Sequence, residues 1–425
     1  MLEGLFDINW DQLNHAYGKA KDVPWLLSAL TSYDTAVRDF AIHELYGNIW
    51  HQGTVYEATA PAVRFLILIL SDHRTKGKAE ILRLLASCAD GNSSVSRSDE
   101  WYVGYCQKNG LDYEAELAKA EVAVSQAHEA VRTGIEFYVS LLASRDPEIR
   151  IASAEVLEKL WQDTVRIFPA LFSALQNERD NLTKVWLIQI IVGFVLRVEE
   201  RDSDKRIQEI QSAVCRKLLS FIDKSIPPLE KSRIIRYAAL VGYSRLCKTD
   251  EPMTLVATVR SQLIQILVDS VHKPQGLHLG IPGWRNPKET RLVVETTIAA
   301  INKFDLEFRV EVLQAALRLV KHPIHAHAIA VALLGNTLLK RPLQLDESTQ
   351  VVLENNTVFC NYIREQVPFK KQFRKYPIVI SALDEAILDS KAREIIQLVL
   401  NCKPIWAFES NLLEAFDISK FKKLE

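Results

Sequence analysis

One pattern recurs along this chain and each time opens a helix-like stretch: Asp, two variable positions, an apolar residue, then Arg. It reads Asp34-Thr35-Ala36-Val37-Arg38, Asp146-Pro147-Glu148-Ile149-Arg150 and Asp305-Leu306-Glu307-Phe308-Arg309. Asp180 to Lys184 repeats the spacing with lysine. The positions three, four and seven beyond each basic residue are small or apolar: Ala41, Ile42, Leu45; Ser153, Ala154, Leu157; Val312, Leu313, Ala316; Leu187, Ile188, Ile191. Two looser copies, at Lys78 and Arg236, fit with a turn longer by two residues. Aspartate at the start of a helix caps its first amides and complements the positive end of the helix dipole. Positions three, four and seven on then form one buried stripe.

The basic anchors fall at 38, 78, 150, 184, 236 and 309, in steps of 40, 72, 34, 52 and 73. The short steps suit a unit of two antiparallel helices, which cannot bury its apolar face alone and must stack on neighbours. Each long step holds an extra unit or an insertion. With 15 glycines and 15 prolines in 425 residues, the chain is poor in helix breakers, and no run of alternating strands stands out. The fold class expected is all-α: a right-handed α-solenoid of about six to eight stacked helix pairs.

The segment DPEIRIASAEVLEKL, Asp146 to Leu160, resembles the second helix of a HEAT repeat, and the likeness covers residues 22 to 340 with gaps. It implies a curved superhelix whose Asp and Arg link adjacent turns, with ladder roles for Asp34 and Arg38, Asp146 and Arg150, and Asp305 and Arg309. The segment WHQGTVYEATAP, Trp50 to Pro61, looks like a junction in bacterial HEAT-like proteins of unassigned activity. There Gly47 and Gly53 are expected to permit the chain reversal, and Thr59 with Pro61 to start the next helix. A family likeness of this kind fixes fold, not function.

The array is expected to occupy residues 1–340, with a helical cap at 341–425. An insertion near 90–133 begins polar, turns aromatic and leads into a long helix from Asp112 to about Leu142. A Gly/Pro-rich loop spans 272–288.

The 52 Lys and Arg against 53 Asp and Glu give a net charge of −1. That balance argues against wholesale disorder and removes the generic case for nucleic acid. The first basic residue is Lys19, so no secretory signal is expected. The longest largely apolar run, Val185 to Leu196, is too short for a span of roughly 20 residues and reads as a core helix. Six scattered cysteines without a CxxC pair fit reduced, buried thiols in a cytoplasmic protein. Phosphate-cradling loops, dinucleotide fingerprints, nucleophile elbows, HExxH and calcium loops are missing from the sequence. His322, His325 and His327 lack the spacing of a helical zinc site and read as solvated. Lys370, Lys371, Arg374 and Lys375, interleaved with Phe369, Phe373 and Tyr376, read as a solvated face with buried rings. No catalytic residue, metal or cofactor is expected.

Aromatic residues beside chain breakers are the stronger pointer to binding, because Trp, Tyr and Arg dominate interface hot spots. The candidates are Trp50, His51 and Tyr56; Trp101, Tyr102 and Tyr105; Trp284 and Arg285. Trp161 and Trp186 are assigned to the core. The expected activity is a non-enzymatic scaffold that binds a protein or peptide on its surface. Nucleic-acid binding, as in the HEAT-like alkylpurine DNA glycosylases, and bilin attachment, as in the HEAT-like phycobilin lyases, are the alternative readings that the resemblance carries.

Overall fold

The computed structural model describes residues 2–95, 100–199, 205–222, 232–246, 304–320 and 390–402 as continuous stretches, with shorter pieces between 281 and 337. These residues are mostly helical, with small sheets. Two compact units divide the chain, Met1–Lys217 and Leu218–Glu425.

In the first unit the helices are α1 (Val23–Ala29), α2 (Thr35–Asn48), α3 (Thr59–Ser71), α4 (Lys78–Ala89) and α5 (Glu100–Asn109). After them come α6 (Tyr113–Arg132), α7 (Ile135–Leu141), α8 (Pro147–Lys159), α9 (Thr164–Asn177) and α10 (Asn181–Glu199); α11 (Lys205–Ile222) runs across the boundary of the two units. The helices of the first unit pack in two rows. In one row α1 packs on α3, α3 on α6, and α7 on α9; in the other α2 packs on α4, α4 on α8, and α8 on α10. The rows are tied within pairs, α1 to α2, α3 to α4, α7 to α8 and α9 to α10.

The repeated motif accounts for the second row. Asp34 accepts from Ala36 N and Asp146 from Glu148 N, each at 2.9 Å, so both aspartates cap their helices. The predicted stripes are buried at Ala41 and Leu45, at Ile81, Leu82 and Leu85, at Ser153, Ala154 and Leu157, and at Leu187, Ile188 and Ile191; Ile42 is half-buried. The arginines do the same job twice. Arg38 donates to Ser32 O and Tyr33 O at 2.9 Å; Arg150 donates to Ser144 O at 2.9 Å and Arg145 O at 3.3 Å. Lys78 reaches Leu70 O, eight residues back rather than six, at 2.7 Å. That offset is the two-residue longer turn read from its spacing.

Several expectations are corrected. The helix foreseen from Asp112 to Leu142 is broken at Thr133–Gly134, where the fully buried Tyr138 leaves no room for a side chain at Gly134. Residues 100–109, read as part of a loop, form α5, and α6 packs on α3 and α4. Gly47 lies inside α2 and makes no reversal. By contrast, Thr59 does open α3, with Pro61 in its first turn; its hydroxyl donates to Ile49 O at 2.5 Å and accepts from Tyr56 N at 2.9 Å, pinning the junction to the end of α2. Trp161, in a short 3-10 turn, and Trp186 are only half-buried.

The small sheets are made of two-residue strands. β1 (Asn14–His15) pairs antiparallel with β2 (Gly18–Lys19); β3 (Trp50–His51) pairs antiparallel with β4 (Thr54–Val55), which pairs in parallel with β5 (Asn92–Ser93). β6 (Ile281–Pro282) and β7 (Thr290–Arg291) pair antiparallel in the second unit.

In that unit α12 (Arg233–Leu246) buries Ala239, Leu240 and Tyr243, the stripe predicted from Arg236. Helix α13 (Leu306–Leu319) is capped by Asp305, which accepts from Phe308 N at 2.9 Å, and buries Val312, Leu313 and Ala316. It packs on α14 (Ser390–Asn401), with Cys402 Sγ donating to Leu317 O at 3.8 Å. Arg309 is buried, and burial lowers its pKa.

Candidate protein-binding surface

The junction between α2 and α3 is a tight hairpin. β3 and β4 are joined by Gln52 and Gly53 alone, with φ of 48° and 94°. Two positive φ values in a two-residue loop match the twist of the strands. Gly53 adopts its value without penalty, whereas Gln52, exposed at the tip, is held where side chains are rarely found.

A partly buried polar network supports this hairpin. The backbone N–H of Tyr17 donates to His15 Nδ1 at 3.0 Å, so the hydrogen sits on Nε2, which donates to Asp22 Oδ1 at 3.0 Å. Asp22 Oδ2 accepts from Asn48 Nδ2 at 2.5 Å, and Ala16 N donates to Asn48 O at 3.1 Å. Asn14 donates to Glu57 through its backbone and its side chain, at 3.0 and 2.7 Å. The hairpin β1–β2 is thereby clamped between the start of α1 and the end of α2. Above it, the Tyr17 ring meets His51 edge-on with centroids 5.3 Å apart and the hydroxyl 3.3 Å from Nδ1.

The structure brings two of the three sequence-predicted aromatic groups to one end of the first unit. Trp50 packs edge-on against Tyr46 at 5.8 Å, and its buried Nε1 has no hydrogen-bond partner among the described residues. Burial holds the Tyr46 hydroxyl well above the ordinary phenol range despite its bond to Ser87. Tyr56 shares a 2.7 Å hydrogen bond with Thr54. Beside β5, Tyr102 packs with Tyr113 on Val95, Leu117 and Ala120 and sits 5.7 Å from Tyr105. Lys119 of α6 lies within electrostatic range of both Glu57 and Tyr102, which ties the two groups together. The side chain of Trp101, the residues Trp284 and Arg285, the three histidines at 322, 325 and 327, and the basic stretch at 369–376 lie outside the described residues.

Most of these candidates serve their own fold: Trp50, His51, Tyr56 and Tyr102 are half-buried, and only Tyr105 is exposed. The exposed aromatic side chains are elsewhere. Of the six among the described residues, five lie in the first 40 positions: Phe6, Tyr17, Trp25, Tyr33 and Phe40, the sixth being Tyr105. Phe6 and Trp25 meet in a tilted contact with ring centroids 5.0 Å apart while remaining 58% and 68% exposed. Val37 and Phe40 add an exposed apolar edge one turn apart on α2. The sequence carries the same signal for these rings, an aromatic beside a breaker, since Tyr17 precedes Gly18 and Trp25 follows Pro24.

Arg38 and Arg150 act as local braces, and the link between turns runs through a residue that sequence reasoning missed. Arg150 Nε and Nη2 donate to Glu178 at 2.8 and 2.9 Å, joining the turn before α8 to the turn before α10. Glu178 also accepts from Arg179 N and Asp180 N at 2.8 Å. Desolvation pushes its carboxyl up, and these donors overcome it and hold the pKa below the ordinary value.

A second charged cluster crosses α4, α8 and α10. Arg83 bridges Glu148 at 2.5 Å and Glu155 at 3.5 Å; Asp90 takes Arg197 at 2.9 Å and Lys159 at 3.3 Å; Glu158 lies 3.6 Å from Lys159. Burial raises Glu155 to about 7, with Arg83 opposing and Glu158 adding to the rise. Each acid here faces a basic partner, the arrangement of an interhelical brace. Among the described residues no group of three His, Cys, Asp or Glu is placed to hold a metal, and Cys88, Cys106, Cys215 and Cys402 are buried and outside any disulfide. Compared with protein-family models and with curated proteins, the chain matches none.

Proposed function

We propose that this chain is a non-enzymatic helical-repeat scaffold of HEAT-like design that binds a protein partner through its first helix pair. The repeat reading is supported by the matching braces at Arg38, Lys78 and Arg150, and by the succession of α2, α4, α8 and α10 along one row. Stacked pairs of this kind build a superhelix with an extended face for a partner.

The observation that carries the binding site is the concentration of exposed rings within the first 40 residues, on and around the first helix pair. A water-facing Trp or Phe gains little for the isolated fold, and rigid aromatic area is what protein interfaces use. The polar network under Tyr17 and His51 fixes the site in advance, which limits the ordering cost of binding. The experiment is affinity capture from cell lysate with the wild-type chain and a Trp25→Ser/Phe40→Ser variant, both shown to be folded by circular dichroism. A protein retained by the wild type and lost by the variant is the expected result. Identical captures by the two would overturn the assignment of this face.

A further inference from the structure

The first helix pair is distinguished by charge as well as by exposed rings. Within the first 45 residues there are seven carboxylates, Glu3, Asp7, Asp11, Asp22, Asp34, Asp39 and Glu44, against three basic side chains, Lys19, Lys21 and Arg38. The chain as a whole is at −1, so this end is acidic and the remainder slightly basic. Two of the basic groups are already engaged: Lys21 pairs with Asp11 at 3.2 Å, and Arg38 is held by Ser32 O, Tyr33 O and Thr35 Oγ1. Glu3, Asp7 and Asp39 are exposed, Asp7 and Asp39 being the sequence neighbours of Phe6 and Phe40.

Resting on the scaffold reading above, we propose that this face receives a basic segment of the partner protein, rich in arginine and lysine. Cations of that kind settle over exposed aromatic faces, and the neighbouring carboxylates take their remaining donors. The charge also discriminates among occupants. A nucleic acid or an anionic membrane would bring negative charge to a negative surface. A second copy meeting the first through this face would set two acidic surfaces together, which disfavours self-association.

The test uses the full-length chain and a fluorescein-labelled peptide of Arg-Gly repeats, with a Glu-Gly repeat as control, read by anisotropy. The Arg-Gly peptide is expected to bind and the Glu-Gly peptide not to. Trp25→Ala/Phe40→Ala and Asp7→Lys/Asp39→Lys should each weaken binding by about tenfold or more, and added salt should weaken it further. Equal binding of the two peptides, or an affinity unchanged by the charge reversal, overturns the proposal. So does a dimer in sedimentation that the Trp25→Ala/Phe40→Ala change dissolves. The same two variants separate this inference from the reading beneath it. If a captured partner is lost with the aromatic variant but kept with the charge-reversed one, the scaffold site stands and the basic-segment inference fails. If both variants keep the partner, both readings fail.

Discussion

Glu155, among the charges between α4 and α8, sits in an environment that disfavours its ionised form. Its pKa stands near 7 because burial penalises the carboxylate more than Arg83 rewards it. In the unfolded chain the group titrates near 4.5. Between those two values the folded state holds a proton that the unfolded state has released, so stability falls as pH rises through that window. The whole effect is at most about 3 kcal/mol, since each tenfold change in proton affinity is worth about 1.4 kcal/mol. Glu155→Gln removes the ionisation, so thermal melts should show the variant gaining on the wild type from pH 5 to pH 8, by about the same amount at most. A pH-independent difference would mean that the carboxylate stays well solvated. Gln52 is the other residue out of its preferred state, at φ 48°. Asparagine tolerates that region better, so Gln52→Asn is expected to raise stability by up to about 1 kcal/mol. If melting temperature is unchanged or lower, the Gln52 conformation carries no strain to relieve.

At the scale of elements, the repeat register was legible because its signals are local. A capping aspartate, an arginine four residues on and a stripe at three, four and seven are all set by one turn and the helix that follows. The shared Ser two positions before Asp34 and Asp146, which accepts from each aspartate's N–H at 3.1 and 3.2 Å, extends that local signature. Glu178 was invisible because its partner lies 28 residues away and no spacing rule connects them. The break between α6 and α7 was hidden for a similar reason: Gly134 interrupts an otherwise helical pattern only because the Tyr138 ring needs its space. The two arginines therefore differ in what they support. Arg150 bridges two turns and pairs with a half-buried carboxylate, so Arg150→Ala should cost about 2 kcal/mol, because Glu178 is left with its two backbone donors alone. Arg38 braces only its own turn, and Arg38→Ala should cost nearer 1 kcal/mol. Urea melts of the two variants would rank them, and equal losses would sink the turn-to-turn role of Glu178.

For the molecule as a whole, helical class was legible from breaker scarcity and apolar spacing, whereas the small sheets were not, since two-residue strands are too short to show a period of two. The exposed aromatic face was half legible, because burial depends on neighbours that spacing alone does not reveal. What the first unit can do alone follows from its internal closure. Its buried residues run from Leu5 to Cys215, and Arg197 pairs with Asp90 across 107 residues of sequence. Helix α4 packs on α8 and α8 on α10, so each helix of that row is covered by the next. A fragment ending at Ile222, which keeps α11 whole, should therefore fold without the rest of the chain. Its far-UV circular dichroism should be strongly helical and its thermal unfolding cooperative, with little binding of a hydrophobic dye before the transition. A broad, non-cooperative melt with early dye binding would show that the rows need cover from beyond the fragment, and the stacking account of this unit would fail. Loss of cooperativity on shortening the fragment further to Asn177, which removes α10 and its buried Leu187, Ile188 and Ile191, is the complementary outcome, since α8 would then lose the neighbour that covers it.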